Sequence, residues 1–176
     1  MGSSMEPAVD HRRVSIAPFR ARFDSLDERI TRWMARHGLF LLRISLGIVF
    51  FWFGALKFFP GMSPASNLAA RTIEVLSFGR VHANVSVPLL AAWECLIGLG
   101  LIFGVFMRAT LLLLAVQMAG TLTPLFLFPS ETFTHFPYAP TIEGQYILKN
   151  VVLISAAIVL GATVRGGRLV PEEPSH

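Results

Sequence analysis

Cysteine is almost missing from this chain: Cys95 is the only one in 176 residues. An intramolecular disulfide and an internal cysteine redox pair are therefore excluded. Lying in an apolar run, Cys95 reads as a small hydrophobe. Histidine is absent from every long apolar run, so the paired axial imidazoles of a membrane haem are not available there. No Cys/His cluster has metal-ligand spacing, so no metal site is expected. No phosphate-binding loop and no Ser/His/Asp set occurs. Charge is sparse, at 15% of residues, and Lys and Arg are missing altogether from Pro129–Gln145.

Apolar residues fill the space that charge leaves, making up 53% of the chain with 15 Phe. They form four continuous runs: Leu39–Phe59, Val87–Phe106, Ala109–Phe128 and Tyr146–Val164. Each reaches about the 20 residues a helix needs to cross hydrocarbon. The runs are continuous rather than alternating, which points to helices and not to barrel strands. The expected fold is all-α: a polytopic membrane four-helix bundle with an N-terminal interfacial amphipathic helix. Residues 1–37 form a basic cytoplasmic tail carrying that helix, 38–165 the bundle, and 166–176 a short cytoplasmic tail. The first run follows a long polar stretch and is interrupted by Arg43, so it reads as a span and not as a cleavable signal.

The basic residues set the orientation. Arg12, Arg13, Arg20, Arg22, Arg29, Arg32 and Arg36 precede the first span, Arg108 lies between spans two and three, and Arg165 and Arg168 follow the fourth. The Pro60–Ser86 loop carries only Arg71 and Arg80. The positive-inside rule then places both termini in the cytoplasm and the two longer loops outside. A net charge of +4 sited at helix ends argues against a nucleic-acid partner.

Ser25-Leu26-Asp27-Glu28 fits a capping box and predicts a helix start. Leu26, Ile30, Trp33 and Met34 share one face, which suits a helix on the inner membrane surface. Such a helix anchors the first span or docks a cytosolic partner. Residues 1–20 and 169–176 are expected to lack fixed structure. The first outer loop predicts a short helix capped by Ser63, with Pro64 in its first turn and Gly79 at its end. Its apolar face suits the outer membrane surface. The second outer loop, Pro129–Gly144, shows no helical period; it is ordered by packing over the bundle mouth, or mobile. Gly47 and Gly54, and Gly98 with Gly100-x-x-x-Gly104, predict close helix approach. Pro124 predicts a kink in span three.

Polar residues inside the spans are the candidate site. A charge near the bilayer centre costs ~2.5–3.5 kcal/mol on insertion scales, so each invites a partner or a purpose. Lys57 lies near the outer end of span one, and Glu94 about 10 Å below the outer end of span two. Gln117 is near mid-depth in span three, and Lys149 and Asn150 lie about 6 Å into span four. These five define an outer-half pocket in which Glu94 lies between two lysines. A net positive cluster there favours an anion or an electron-rich carbonyl such as a quinone oxygen. Alternatively, Glu94 exchanges protons with a bound quinol. His135, Tyr138 and Glu143 are placed at the pocket mouth. Bland readings stand beside these: Lys57 as a snorkelling anchor, Gln117 as an interhelical hydrogen-bond partner, Glu94 as half of a structural pair, His135 as a solvated loop residue. Tyr138, Tyr146 and Trp93 suit an outer aromatic belt, and Arg43 snorkels at the inner surface.

Leu42-Arg43-Ile44-Ser45-Leu46-Gly47-Ile48 running into Phe53-Gly54-Ala55-Leu56-Lys57-Phe58, then Glu94-x-x-x-Gly98 with Gly104 and Arg108, then Lys149-Asn150, resemble the DoxX-like family of small four-helix bacterial membrane proteins. The likeness covers about Leu39 to Arg165. Phe136-Pro137-Tyr138 through Gly144, followed by Leu148-Lys149-Asn150, looks closest to the branch that includes the inner-membrane protein for reactive-chlorine resistance. The resemblance implies a bacterial inner-membrane location and a shared polar core of Lys57, Glu94, Lys149 and Asn150. The family includes a subunit of thiosulfate:quinone oxidoreductase and a mycobacterial member linked to an oxidative-stress complex. The resulting expectation is support of redox homeostasis, with a quinone as the candidate cofactor and none bound covalently. The protein would then act alone, as a homo-oligomer, or as the membrane subunit of an oxidoreductase beside a soluble partner. The alternatives are a non-enzymatic scaffold that recruits a soluble enzyme through its Arg-rich tail, and a small-solute transporter. Four spans without an internal repeat are few for the last.

Overall fold

The computed structural model describes residues 17–63 and 66–167, with side chains from Ser25 onward. The chain divides into two compact units, Met1–Gly38 and Leu39–His176. Helix α1, Ala17–Leu56, runs through the division. Then follow α2 (Ser66–Leu76), α3 (Ala83–Phe103), α4 (Met107–Leu122), α5 (Pro124–Leu127) and α6 (Pro129–Thr132). A two-stranded antiparallel hairpin, β1 (Phe133–His135) and β2 (Ala139–Pro140), leads into α7 (Ile142–Thr163). Four helical stretches are long and apolar enough to cross a membrane: Ser25–Leu56, Ala83–Phe103, Met107–Leu127 and Ile142–Thr163.

In the first unit α1 begins at Ala17, eight residues before the predicted cap. Ser25 lies inside the helix and not at its start. Pro18 in the first turn is the better start signal, and no Gly or Pro follows until Gly38 to stop propagation. The expectation for residues 1–20 and 169–176 lies outside the described residues except at 17–20, which open α1. Leu26, Ile30, Trp33 and Met34 are all exposed along this part of the helix.

The second unit is built around one core. Leu46 and Phe50 of α1, Ile97 and Leu101 of α3, Leu114 and Met118 of α4 and Leu160 of α7 form a single buried cluster. Outward-facing Leu96, Phe103, Leu112 and Ile158 remain exposed. That arrangement is stable where lipid is the solvent, because only internal packing and satisfied backbone groups are then demanded.

Glycine sets how closely α1 and α3 approach. A Cβ at Gly98 would come within 2.5 Å of Phe51 N and 2.8 Å of the Gly47 carbonyl. The predicted Gly100–Gly104 stripe instead divides into two jobs. Gly100 lies against Thr110 of α4. Gly104 ends α3 at φ 69°, a left-handed conformation in which its lack of a side chain matters. The Arg43 guanidinium packs on Gly104, and its carbon lies 5.6 Å from the Phe40 ring centroid. Arg43 thus closes onto the end of α3, where a cation meets the negative end of the helix dipole.

The two longer loops are ordered among the described residues. Helix α2 begins at Ser66, whose amide and hydroxyl both donate to the Ser63 carbonyl, at 3.3 and 2.7 Å. The predicted start at Pro64 lies outside the described residues. At its other end Phe78 donates to Val75 O and Gly79 to Glu74 O, with both Phe78 and Gly79 at positive φ. Gly79 is the expected stop, and the paired bonds are those of a Schellman end. Helix α2 does not simply lie on the membrane: it packs on α3 and α5 and buries Ala70 and Thr72.

Span three breaks at Pro124, which has no N–H to continue the ladder, so α5 restarts as a separate turn. The loop before α7 is held by Thr141. Its amide donates to the Thr132 carbonyl and its hydroxyl to the Glu131 carbonyl, at 3.0 and 2.7 Å. The same hydroxyl accepts the Gly144 amide at 3.1 Å, capping α7 one turn earlier than the apolar run predicts. Gly144 lies so close over the Thr132 carbonyl that any side chain there would collide.

Candidate functional site: a buried lysine, glutamate and glutamine

Three of the five predicted polar-core residues meet. Lys57 Nζ donates to Glu94 Oε2 at 2.6 Å, and Gln117 Nε2 donates to Glu94 Oε1 at 2.9 Å. One carboxylate thus joins α1, α3 and α4, with each of its oxygens engaged by a different helix. The side chains of Lys57 and Glu94 are only 8% and 9% exposed.

Helix geometry explains how a lysine just past the end of α1 reaches a glutamate midway along α3. Cα–Cβ bonds tilt toward a helix N-terminus. The two helices are antiparallel, so Lys57 leans back into the bundle while Glu94 leans toward it. Lys57 Nζ also lies 3.4 Å from the Phe53 carbonyl, one turn back. Gly54 makes room: a Cβ there would come within 2.9 Å of both Glu94 Cβ and Cys95 N. Cys95 packs beside the site, its thiol 3.8 Å from the Phe51 carbonyl.

The other predicted residues lie elsewhere. Lys149 is exposed on α7, its ammonium 5.6 Å from the Tyr146 ring centroid. Among the described residues no ion pair joins it to Glu94. Asn150 is half-buried on the same helix and makes no direct bond to Glu94, Lys57 or Gln117. His135 stacks on Tyr138 across the hairpin, with centroids 6.2 Å apart. Glu143 is exposed in the first turn of α7, where its charge suits the helix dipole.

Two features were hidden in the sequence. Arg71 of α2 donates through Nη1 to both oxygens of Glu131 on α6, at 2.7 and 2.9 Å, while its guanidinium lies 4.7 Å over the Phe128 ring. The only available signal was opposite charge on two loops otherwise poor in charge. Trp93, expected in an aromatic belt, also packs within the bundle: it is half-buried and its indole donates to the Leu113 carbonyl of α4 at 3.3 Å.

A bundle of four apolar spans around a buried polar trio defines a polytopic helical membrane protein. The family model described as DoxX matches residues 38–129, over half of the chain, and the protein belongs to the DoxX family. The match takes in Lys57, Glu94 and Gln117 and ends before Phe136–Gly144 and Lys149–Asn150, on which the closer likeness rested. No curated protein and no solved structure matches the chain.

Proposed function

We propose that this protein supports redox homeostasis in a bacterial inner membrane, holding the headgroup of a quinone at Lys57, Glu94 and Gln117. The observation that carries the reading is the buried Lys57–Glu94–Gln117 network. Burying an ion pair in a span is costly, and an apolar core would hold the helices as well. With Lys149 facing outward, ionised Lys57 and Glu94 cancel. A neutral, electron-rich carbonyl therefore fits the trio better than an anion does. Lys57 carries three protons and directs one to Glu94 and one, at 3.4 Å, toward Phe53. The third is available to a quinone oxygen. Among the described residues the Gln117 amide oxygen accepts no hydrogen bond, so it can receive a quinol hydroxyl. Reduction to the quinol takes up two protons with two electrons: the Lys57 ammonium gives the first to a quinone oxygen, and Glu94, taking protons one at a time from water, reprotonates Lys57 and passes on the second. The electrons come from a soluble oxidoreductase partner for which this chain is the membrane subunit.

Binding of a short-chain quinone to the purified protein tests this. Glu94→Gln keeps the shape and removes the charge. Affinity should fall about tenfold or more, roughly 1.4 kcal/mol, with the fold retained. Unchanged affinity and unchanged oxidant sensitivity of cells would end the reading. The second reading is a scaffold whose trio only locks α1, α3 and α4, favoured by the engagement of both carboxylate oxygens. It predicts loss of stability without any quinone binding to lose.

A further inference from the structure

The N-terminal part of α1 carries a feature that the trio does not use. Arg29, Arg32 and Arg36 follow one another at spacings of three and four, which puts them in one row along the helix. Trp33 and His37 adjoin that row on one side. The five residues line a shallow groove of about 440 Å³. Its aromatic wall is held in place: the His37 ring stacks on Trp33 at 5.1 Å between centroids, and His37 Nδ1 donates to the Trp33 carbonyl at 3.0 Å.

The charge around the groove is unbalanced. Arg32 is shared with Glu28, through Nη2 at 3.5 Å from the carboxylate and Nε at 3.1 Å from the carbonyl. Asp27 and Glu28 line a separate concavity beside it, with Thr31 and Arg32. Arg29 and Arg36 have no ion pair among the described residues. Two unpaired guanidiniums and one half-engaged guanidinium therefore border a groove with no acid of its own. Exposed Leu26, Ile30 and Met34 lie on the adjoining face, beyond Trp33. Guanidinium groups match phosphate oxygens in geometry and charge, and Trp beside an apolar face is an interfacial pairing.

We propose that Arg29, Arg32 and Arg36, walled by Trp33 and His37, form a binding site for the phosphate headgroup of an anionic phospholipid. The acyl chains then lie along Leu26, Ile30 and Met34. The site is this local row of side chains and not a diffuse attraction of the basic tail. It is independent of the quinone reading, because it shares no residue with the trio.

The test uses the full chain in bilayers of phosphatidylcholine containing spin-labelled phosphatidylglycerol or spin-labelled phosphatidylcholine. The wild-type protein should hold phosphatidylglycerol preferentially, and the preference should weaken with salt. Changing Arg29, Arg32 and Arg36 together to Gln should remove it, by about fivefold for each arginine lost. Changing Arg13, Arg20 and Arg22 to Gln alters net charge equally and should leave most of it. Equal loss from both triple variants would overturn the site in favour of diffuse charge. So would an unchanged lipid preference in the first variant, including the case where that variant instead releases a bound soluble acidic protein. Short-chain quinone affinity should be the same in both variants, which separates this result from the fate of the trio.

Discussion

Lys57–Glu94 and Arg71–Glu131 are nearly the same contact in two different solvents. The charged atoms lie 2.6 Å apart in one and 2.7 Å apart in the other. The first pair is 8% and 9% exposed; the second is 52% and 42% exposed. Distance therefore says little about what each contributes. An exposed pair exchanges water for a partner at almost no gain. A buried pair has already lost its water, so each member depends wholly on the other. The Arg71–Glu131 pair locates one loop element against another. The Lys57–Glu94 pair lies inside the bundle and ties the end of α1 to the middle of α3.

Breaking the buried pair from one side should have the largest effect. Glu94→Ala strands the Lys57 ammonium and removes the acceptor of Gln117. A loss of about 3–5 kcal/mol is expected in equilibrium unfolding in mixed micelles. Gln117→Leu removes one hydrogen bond to the carboxylate but leaves the charges paired. The same measurement should show roughly 1.5–3 kcal/mol. Thr141→Ala removes the cap of α7 and a link to Glu131. It should cost about 1 kcal/mol, with faster amide exchange confined to the start of α7. Arg71→Ala should cost ~0.2–1 kcal/mol, and the difference from wild type should shrink as salt is raised. If Arg71→Ala proved as damaging as Glu94→Ala, burial would not be what separates the two pairs.

The spans were legible because hydrocarbon tolerates little else, and four uninterrupted apolar runs have few alternative folds. Their ends were less so. Helix α3 starts at Ala83 and α7 at Ile142, each about a turn before the apolar run begins. Hydropathy marks where lipid begins, whereas backbone hydrogen bonding continues into polar residues until a cap such as Thr141 stops it. Lys57, Glu94 and Gln117 were legible as a buried polar cluster because each is polar in an apolar run. Lys149 met the same criterion and faces outward. Depth follows from counting residues, but facing depends on how α7 is rotated. That helix buries Gly144, Ile147 and Leu160, and Lys149 lies about 200° round from Ile147. Arg71 and Glu131 stand 60 residues apart in two loops, and no local pattern links them.

Replacing the buried pair by two apolar side chains, Lys57→Met with Glu94→Leu, separates locking from function most directly. Apolar residues of similar size often hold a core as well as an ion pair does. The double variant leaves only the Gln117 amide without its acceptor, so it should unfold about 1–3 kcal/mol below wild type, less than the loss for Glu94→Ala, while binding of a short-chain quinone disappears. Retained quinone binding, or protection from oxidants equal to that of wild type, would contradict a working role for the lysine, glutamate and glutamine at the centre of this bundle.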